Sequence, residues 1–206
     1  CVSDLLVRGG AVMYVLLSLS FVTVAIIIER LIALLKRREN QNELLEQVGK
    51  MTKAGDLGGA QQFCLCKRGP LARVLGQGLK EWKNPIEDFS SAIDFQAQNE
   101  VDSAEENLSI LAAVAQSAPL LGLLGTILGM IEAFRKIEEM GGKVEPSALA
   151  GGIWEALLTT AFGLIVAILA MFSHQFFDEG CYRLSNQLRN ATSWFIRLRK
   201  EAGKFI

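Results

Sequence analysis

Glu155 with Thr159, Thr160 and Thr126 is the residue set in this chain best suited to chemistry, because it places one carboxyl and three hydroxyls inside apolar sequence. From Ser147 to Phe177 the only formally charged side chain is Glu155. An ionised group near a bilayer centre costs roughly 2.5 to 3.5 kcal/mol on insertion scales, so such a residue faces a bundle interior, a water-filled cavity or an ion path. Thr159 follows Glu155 by four residues and shares its helical face, whereas Thr160 turns toward a neighbouring one. Hydroxyls both accept and donate, so a line of them beside a carboxyl supports water and relays a proton. The competing account has each threonine bonding back to a carbonyl one turn earlier. Three threonines near one buried glutamate favour the relay. No basic side chain in the apolar stretches can pair with Glu155, which is a proton-site pattern rather than a structural ion pair.

The elements that must position this set are long apolar helices. Half of the 206 residues are hydrophobic and the net charge is -1, but the apolar residues are clustered. About 20 apolar helical residues cross a bilayer. Gly9 to Ile28, residues 108–131 and residues 147–177 reach that length. The reading is an all-α membrane protein with three transmembrane helices and long cytoplasmic helical extensions. Its divisions are an N-terminal segment with the first span (1–35), a cytoplasmic helical region (36–107), the second span (108–131), a periplasmic loop (132–146), the third span (147–177) and a basic tail helix (178–206). Orientation follows from Arg30, Lys36, Arg37 and Arg38 after the first span against Arg8 alone before it, which puts the N-terminus outside. The 132–146 loop is mixed in charge.

Between the first two spans the sequence predicts helices. Lys36 to Met51 reads as a polar helix leaving the membrane, and Gly55, Gly58 and Gly59 punctuate the stretch after it. Leu71, Val74, Leu75, Gly78, Leu79 and Trp82 form one stripe at helical spacing. Asn84 as N-cap, Pro85 at the first helical position and Glu87 predict a helix start, continuing unbroken into the second span. From Ile86 to Asn107 that helix holds seven acidic residues and no basic one, while the tail from Tyr182 to Ile206 has six basic residues against Glu201. Pairing of these helices is expected, within a subunit or between neighbours. Cys1, Cys64, Cys66 and Cys181 are expected to be reduced and free of metal. Cys1 in place of Met implies a lost start or, alternatively, a lipid-modified cysteine.

Small residues line both later spans. Gly152, Ala156, Thr160, Gly163, Ala167 and Ala170 lie along one side of the third, and Ala118, Gly122, Gly125 and Gly129 along the second, a pattern that permits close helix contact. The runs from Ala118 to Met130 (APLLGLLGTILGM) and from Gly152 to Leu164 (GIWEALLTTAFGL) closely resemble the MotA/TolQ/ExbB proton-channel family, in its ExbB and TolQ branch. The resemblance covers the layout of nearly the whole chain. It implies assembly as a ring, a homopentamer in the bacterial inner membrane around a dimer of a single-span ExbD/TolR-like partner that supplies an aspartate. Proton passage there is coupled to rotation, and the work reaches a TonB- or TolA-like effector. Carried across, Thr126 and Thr160 match pore-lining threonines and Glu155 the family's buried glutamate; Thr159 stands where many relatives have a small apolar residue. No enzyme activity, cofactor, metal or nucleic-acid partner is expected, and membrane lipid is.

A hydrolase built on Ser117, Ser173 and His174 fails on geometry, since Ser173 adjoins His174 and points to another face. No GxSxG element is present. A secondary transporter fails for want of an inverted repeat. A passive membrane scaffold, with Glu155 as an assembly contact, is the alternative that stands.

Overall fold

The computed structural model describes residues 10–36, 41–67, 69–139 and 146–202, with side chains in the helices at 12–34, 41–66, 70–139 and 150–202. Cys1, Arg8, Arg37, Arg38, Lys143, Glu145 and Lys204, which enter the sequence reading, lie outside the described residues. Among the described residues the chain is all-α, with helices α1 (Gly10–Lys36), α2 (Gln41–Lys53), α3 (Leu57–Cys66), α4 (Pro70–Lys80), α5 (Ile86–Glu105), α6 (Leu108–Glu139) and α7 (Pro146–Ala202). Among the described residues three helical stretches are long and apolar enough to cross a membrane: Val12–Leu34, one within Ile86–Glu139 and one within Ala150–Ala202. The chain divides into two compact units, Cys1–Glu29 with Asn107–Phe177, and Arg30–Glu106 with Asp178–Ile206.

The first unit holds most of α1, all of α6 and the first part of α7. Leu16, Val114, Ala118, Val166, Ala167 and Ala170 form its buried cluster. Its outer surfaces are apolar too, with Phe21, Leu120 and Phe172 each more than two-thirds exposed. A helix that is apolar all round belongs in lipid or against other apolar chains. Within α1 the hydroxyls of Ser18 and Thr23 donate to the carbonyls of Val15 and Leu19, which lets polar side chains sit in an apolar helix without orphaned groups. Pro119 interrupts α6 by removing one amide donor, yet the helix continues through it.

The second unit is built differently. Leu44, Val48, Leu71, Val74, Leu75, Phe89, Ile93, Leu188, Phe195 and Leu198 form its core. Trp82, Phe89 and Phe195 meet pairwise at centroid separations of 5.4 to 5.7 Å, and Trp194 stacks on Phe195. The predicted stripe on α4 is buried at Leu71, Val74, Leu75, Gly78 and Leu79, with Trp82 partly buried beyond the helix end. Gly78 leaves room for that packing, since a Cβ there would lie 2.6 Å from Ile93 Cδ1 and 2.7 Å from Phe195 Cε1. Asp56 caps α3 by accepting from the Gly59 amide at 2.8 Å.

Two local expectations are corrected. Asn84 is not the cap of α5: the helix starts at Ile86 after Pro85, with φ -50 and ψ 150. The Asn84 side-chain amide donates instead to the Glu81 carboxylate, and the Asn84 backbone carbonyl accepts from Arg199. Nor does one helix run from residue 85 into the second span, because α5 ends at Glu105 and α6 starts at Leu108. Asn107 between them has φ 63, a left-handed conformation that asparagine tolerates better than most residues. The carbonyls ending α5 are satisfied from distant sequence. The Arg30 guanidinium donates to Ser103 and Ala104 at 3.1 Å each, and the buried Cys181 thiol also donates to Ala104 at 3.1 Å. Arg30 also lies 4.0 Å from the Glu106 carboxylate.

The acidic helix and the basic tail do lie side by side in this unit, but their contact is apolar and aromatic. Phe89 meets Phe195, and the Arg199 guanidinium lies 4.4 Å over the Phe89 ring. Partial burial draws Arg199 below its ordinary value. Among the described residues α5 pairs its buried Glu100 with Arg73 on α4, and Gln96 donates to that same carboxylate.

Candidate functional site

The site residues lie along the seam of α6 and α7 in the first unit. Gly122, Gly125 and Gly129 on α6, with Ala133, face Thr160, Thr159, Ala156 and Gly152 on α7 in one antiparallel register. A Cβ on Gly122 would sit 3.0 Å from Thr160 Cα, and one on Gly125 would sit 2.7 Å from Thr159 Oγ1. At Gly129 and Gly152 the obstacles are the Cβ atoms of Ala156 and Ala133, at 2.9 and 2.8 Å. At Gly163 the obstacle is backbone: the Ala118 carbonyl oxygen at 2.7 Å and Gly122 Cα at 3.1 Å. Two helices that close cannot separate by side-chain adjustment. This is how association proceeds where lipid removes the hydrophobic drive between helices and leaves van der Waals contact and hydrogen bonds.

The three threonines take different roles. Thr160 Oγ1 crosses the seam and donates to the Gly122 carbonyl at 2.7 Å. Thr159 is buried and donates to Ala156 of its own helix at 2.7 Å, and Thr126, half-buried, donates to Leu123 at 2.6 Å. Two hydroxyls therefore bond back one turn, and each keeps oxygen lone pairs able to accept a hydrogen bond. Thr159 is also the side chain that fills the space left by Gly125, so it serves the packing directly.

Glu155 precedes buried Ala156 and is itself half-buried, with Trp154 and Leu157 exposed beside it. Among the described residues its carboxylate has neither hydrogen-bond nor ion-pair partner, and it does not bond to Thr126, Thr159 or Thr160. The structure thus brings Thr159 and Thr160 against the glycines of α6, while Glu155 and Thr126 stand at the margins of the seam with surface to offer. Such a carboxyl can exchange a proton with water or with a group on another polypeptide.

Sequence reasoning counted Arg30 only as a flanking charge. Its burial to 5% and its hold on the end of α5 were not visible, and the one available signal is that Glu29 and Arg30 interrupt the apolar run of α1 without ending the helix. The Arg73–Glu100 pair was missed for the same reason: its partners lie 27 residues apart, on different helices.

The sequence profile of the MotA/TolQ/ExbB proton channel family matches residues 67–190. The biopolymer transport protein ExbB-like 3 of Synechocystis sp. is 33% identical over 166 residues, covering 79% of this chain and 78% of that protein. The biopolymer transport protein ExbB of Neisseria meningitidis serogroup A is 26% identical over 191 residues, covering 86% of this chain and 85% of its own. A biopolymer transport protein ExbB homolog of Methanothermobacter thermautotrophicus is 30% identical over 130 residues, 63% of this chain but 43% of the relative. The matched region contains α4, α5, α6 and most of α7, and with them every residue of the seam, so the chain belongs to the MotA/TolQ/ExbB proton channel family.

Proposed function

We propose that this chain is the proton-channel subunit of an ExbB/TolQ-like motor in the bacterial inner membrane, with its N-terminus periplasmic and no enzymatic activity of its own. Five copies form a ring around a dimer of a single-span ExbD/TolR-like partner. Protons pass between the partner's aspartate and Glu155, with Thr126 and Thr160 holding water along the way and Thr159 fixing the helix on which Glu155 stands. The proton motive force drives the partner's movement and, through a TonB- or TolA-like effector, envelope processes such as outer-membrane uptake. One elementary charge crossing 100 mV releases about 2.3 kcal/mol, so several protons suffice for a conformational step.

The observation that carries this reading is the half-buried carboxyl of Glu155, which has no partner among the described residues of its own chain although it stands in apolar sequence. A carboxyl kept only for packing within the subunit would have a donor there. Glu155→Gln preserves size and hydrogen bonding but cannot carry a proton. The complex is expected to assemble in normal amount while effector-dependent transport falls at least tenfold; unchanged transport by that variant would refute the relay. The second reading, a passive scaffold, draws support from Thr126 and Thr159 bonding back to their own helices. In that case Glu155→Gln lowers the amount of assembled complex, and transport declines only in proportion.

A further inference from the structure

The packing of α5 against the tail segment of α7 turns most of the charges of both outward. On α5 the core side carries Phe89, Ile93, Glu100, Val101 and Ala104, and the opposite side exposes Glu87, Asp88, Asp94, Asp102 and Glu105 with Phe95 among them. Spacings of three and seven residues, 87 to 94, 88 to 95, 95 to 102 and 102 to 105, put these on one helical stripe. The tail buries Leu188, Ala191, Thr192, Phe195 and Leu198 and exposes Arg183, Arg189, Arg197 and Lys200, with Tyr182; Glu179 and Glu201 are exposed at its two ends, and Glu179 pairs with Arg183 at 2.9 Å, which leaves Arg189, Arg197 and Lys200 as the basic stretch between them. Each chain thus presents one acidic face and one basic face, on helices that already use their apolar sides on each other.

The two faces are also in register. The helices run antiparallel, fixed by Cys181 on Ala104 at one end, Phe195 on Phe89 near the other, and Arg199 on the Pro85 carbonyl beyond it. Between those contacts Arg183 stands level with Asp102, Arg189 with Asp94 and Arg197 with Glu87. Solvated faces have no reason to match charge to charge at three successive levels.

We infer that the acidic face of α5 docks on the basic face of the tail in a second copy of this chain. Rotation about an axis parallel to the two helices shifts a copy sideways without changing level, so the three charge pairs that face apart within one chain come together between neighbours. The contact is heterologous, with one face giving and the other receiving, which is the interface type that closes into a ring. Phe95 and Tyr182, 68% and 65% exposed, supply aromatic surface within it. This inference rests on the ring reading above and specifies which surfaces build it.

The test uses the full chain in its membrane with Cys1→Ser and Cys66→Ser, so that neither the N-terminal nor the exposed native thiol contributes. Asp94→Cys with Arg189→Cys in the same chain, treated with a short bis-maleimide, is expected to give a covalent ladder of multimers, and each single variant none. An intact non-covalent assembly without a ladder, or a link confined within one chain, overturns the interface while leaving the ring. Absence of any assembly in the parent chain overturns the ring reading itself. A second arm reverses Glu87 and Asp94 to Arg, which should cut the ladder from a pair engineered at Asp102→Cys and Arg183→Cys at least fivefold in low salt. Adding Arg189→Glu and Arg197→Glu should restore it, and failure of that charge swap to restore it counts against the pairing.

Discussion

The two units solve the same problem, holding helices together, with opposite materials. In the first, glycine, alanine and threonine let backbones of α6 and α7 approach until a single Cβ would collide with a carbonyl, and the large apolar side chains point away from the contact. In the second, phenylalanine, tryptophan and leucine fill the space between helices and most charged side chains point away, with Arg30 and Glu100 buried as exceptions. The contrast follows from the solvent each surface suits. Water makes burial of large apolar groups favourable in itself, about 25 cal/mol per Å² removed from it. Lipid gives no such return, and contact must come from fit and hydrogen bonds.

The largest expected effect is in the aromatic unit. Phe195→Ala removes the ring that touches Trp82, Phe89 and Trp194 and should cost about 3 to 5 kcal/mol, read as lost thermal stability in mild detergent. Next is the seam. Gly163→Ala places a methyl against the Ala118 carbonyl and should cost about 1 to 3 kcal/mol, whereas Gly78→Ala meets only the side chains of Ile93 and Phe195, which can move, and should cost less. Equal losses at the two glycines would erase the distinction between backbone contact and side-chain contact. Thr160→Val keeps shape and deletes the bond to Gly122, for about 0.6 kcal/mol, the average for such bonds between membrane helices.

The smallest effect lies at an exposed pair. The Lys50 ammonium, 2.6 Å from Glu46, holds that carboxyl below its ordinary value by hydrogen bond and charge. A carboxyl lowered by folding contributes stability above its unfolded value and loses it as pH falls through the folded one. Lys50→Ala should therefore narrow the difference in α2 stability between pH 7 and pH 3, and only slightly, because the pair is fully solvated. A clear change in the midpoint at pH 7 would mean that surface charge matters more to this unit than its aromatic core suggests.

Much of this was readable in the sequence wherever one helix alone decides the outcome. Three apolar helices, the small residues of the seam and the stripe on α4 follow from spacing within a single segment. What could not be read depends on partners far along the chain. Nothing between Ile86 and Leu108 is a helix breaker by composition, and the break at Glu106 and Asn107 is held by Arg30 and Cys181, more than seventy residues away on either side. Asn84 looks like a cap until Glu81 and Arg199 engage it. The acidic and basic helices were correctly paired by charge as neighbours, yet the sequence could not reveal that Phe89 and Phe195 make that contact and turn the charges outward. Likewise the direction of each threonine hydroxyl depends on how α6 and α7 are rotated against each other, which spacing does not specify.

Arg30 has one more consequence. Its flat, forked head reaches two successive peptide oxygens from one nitrogen while a carboxylate stands nearby, and a point charge on a flexible stem cannot reproduce that arrangement. An exchange to lysine, which conserves charge and would pass unnoticed on most surfaces, should leave a peptide oxygen unsatisfied where water has little access and loosen the end of the acidic helix.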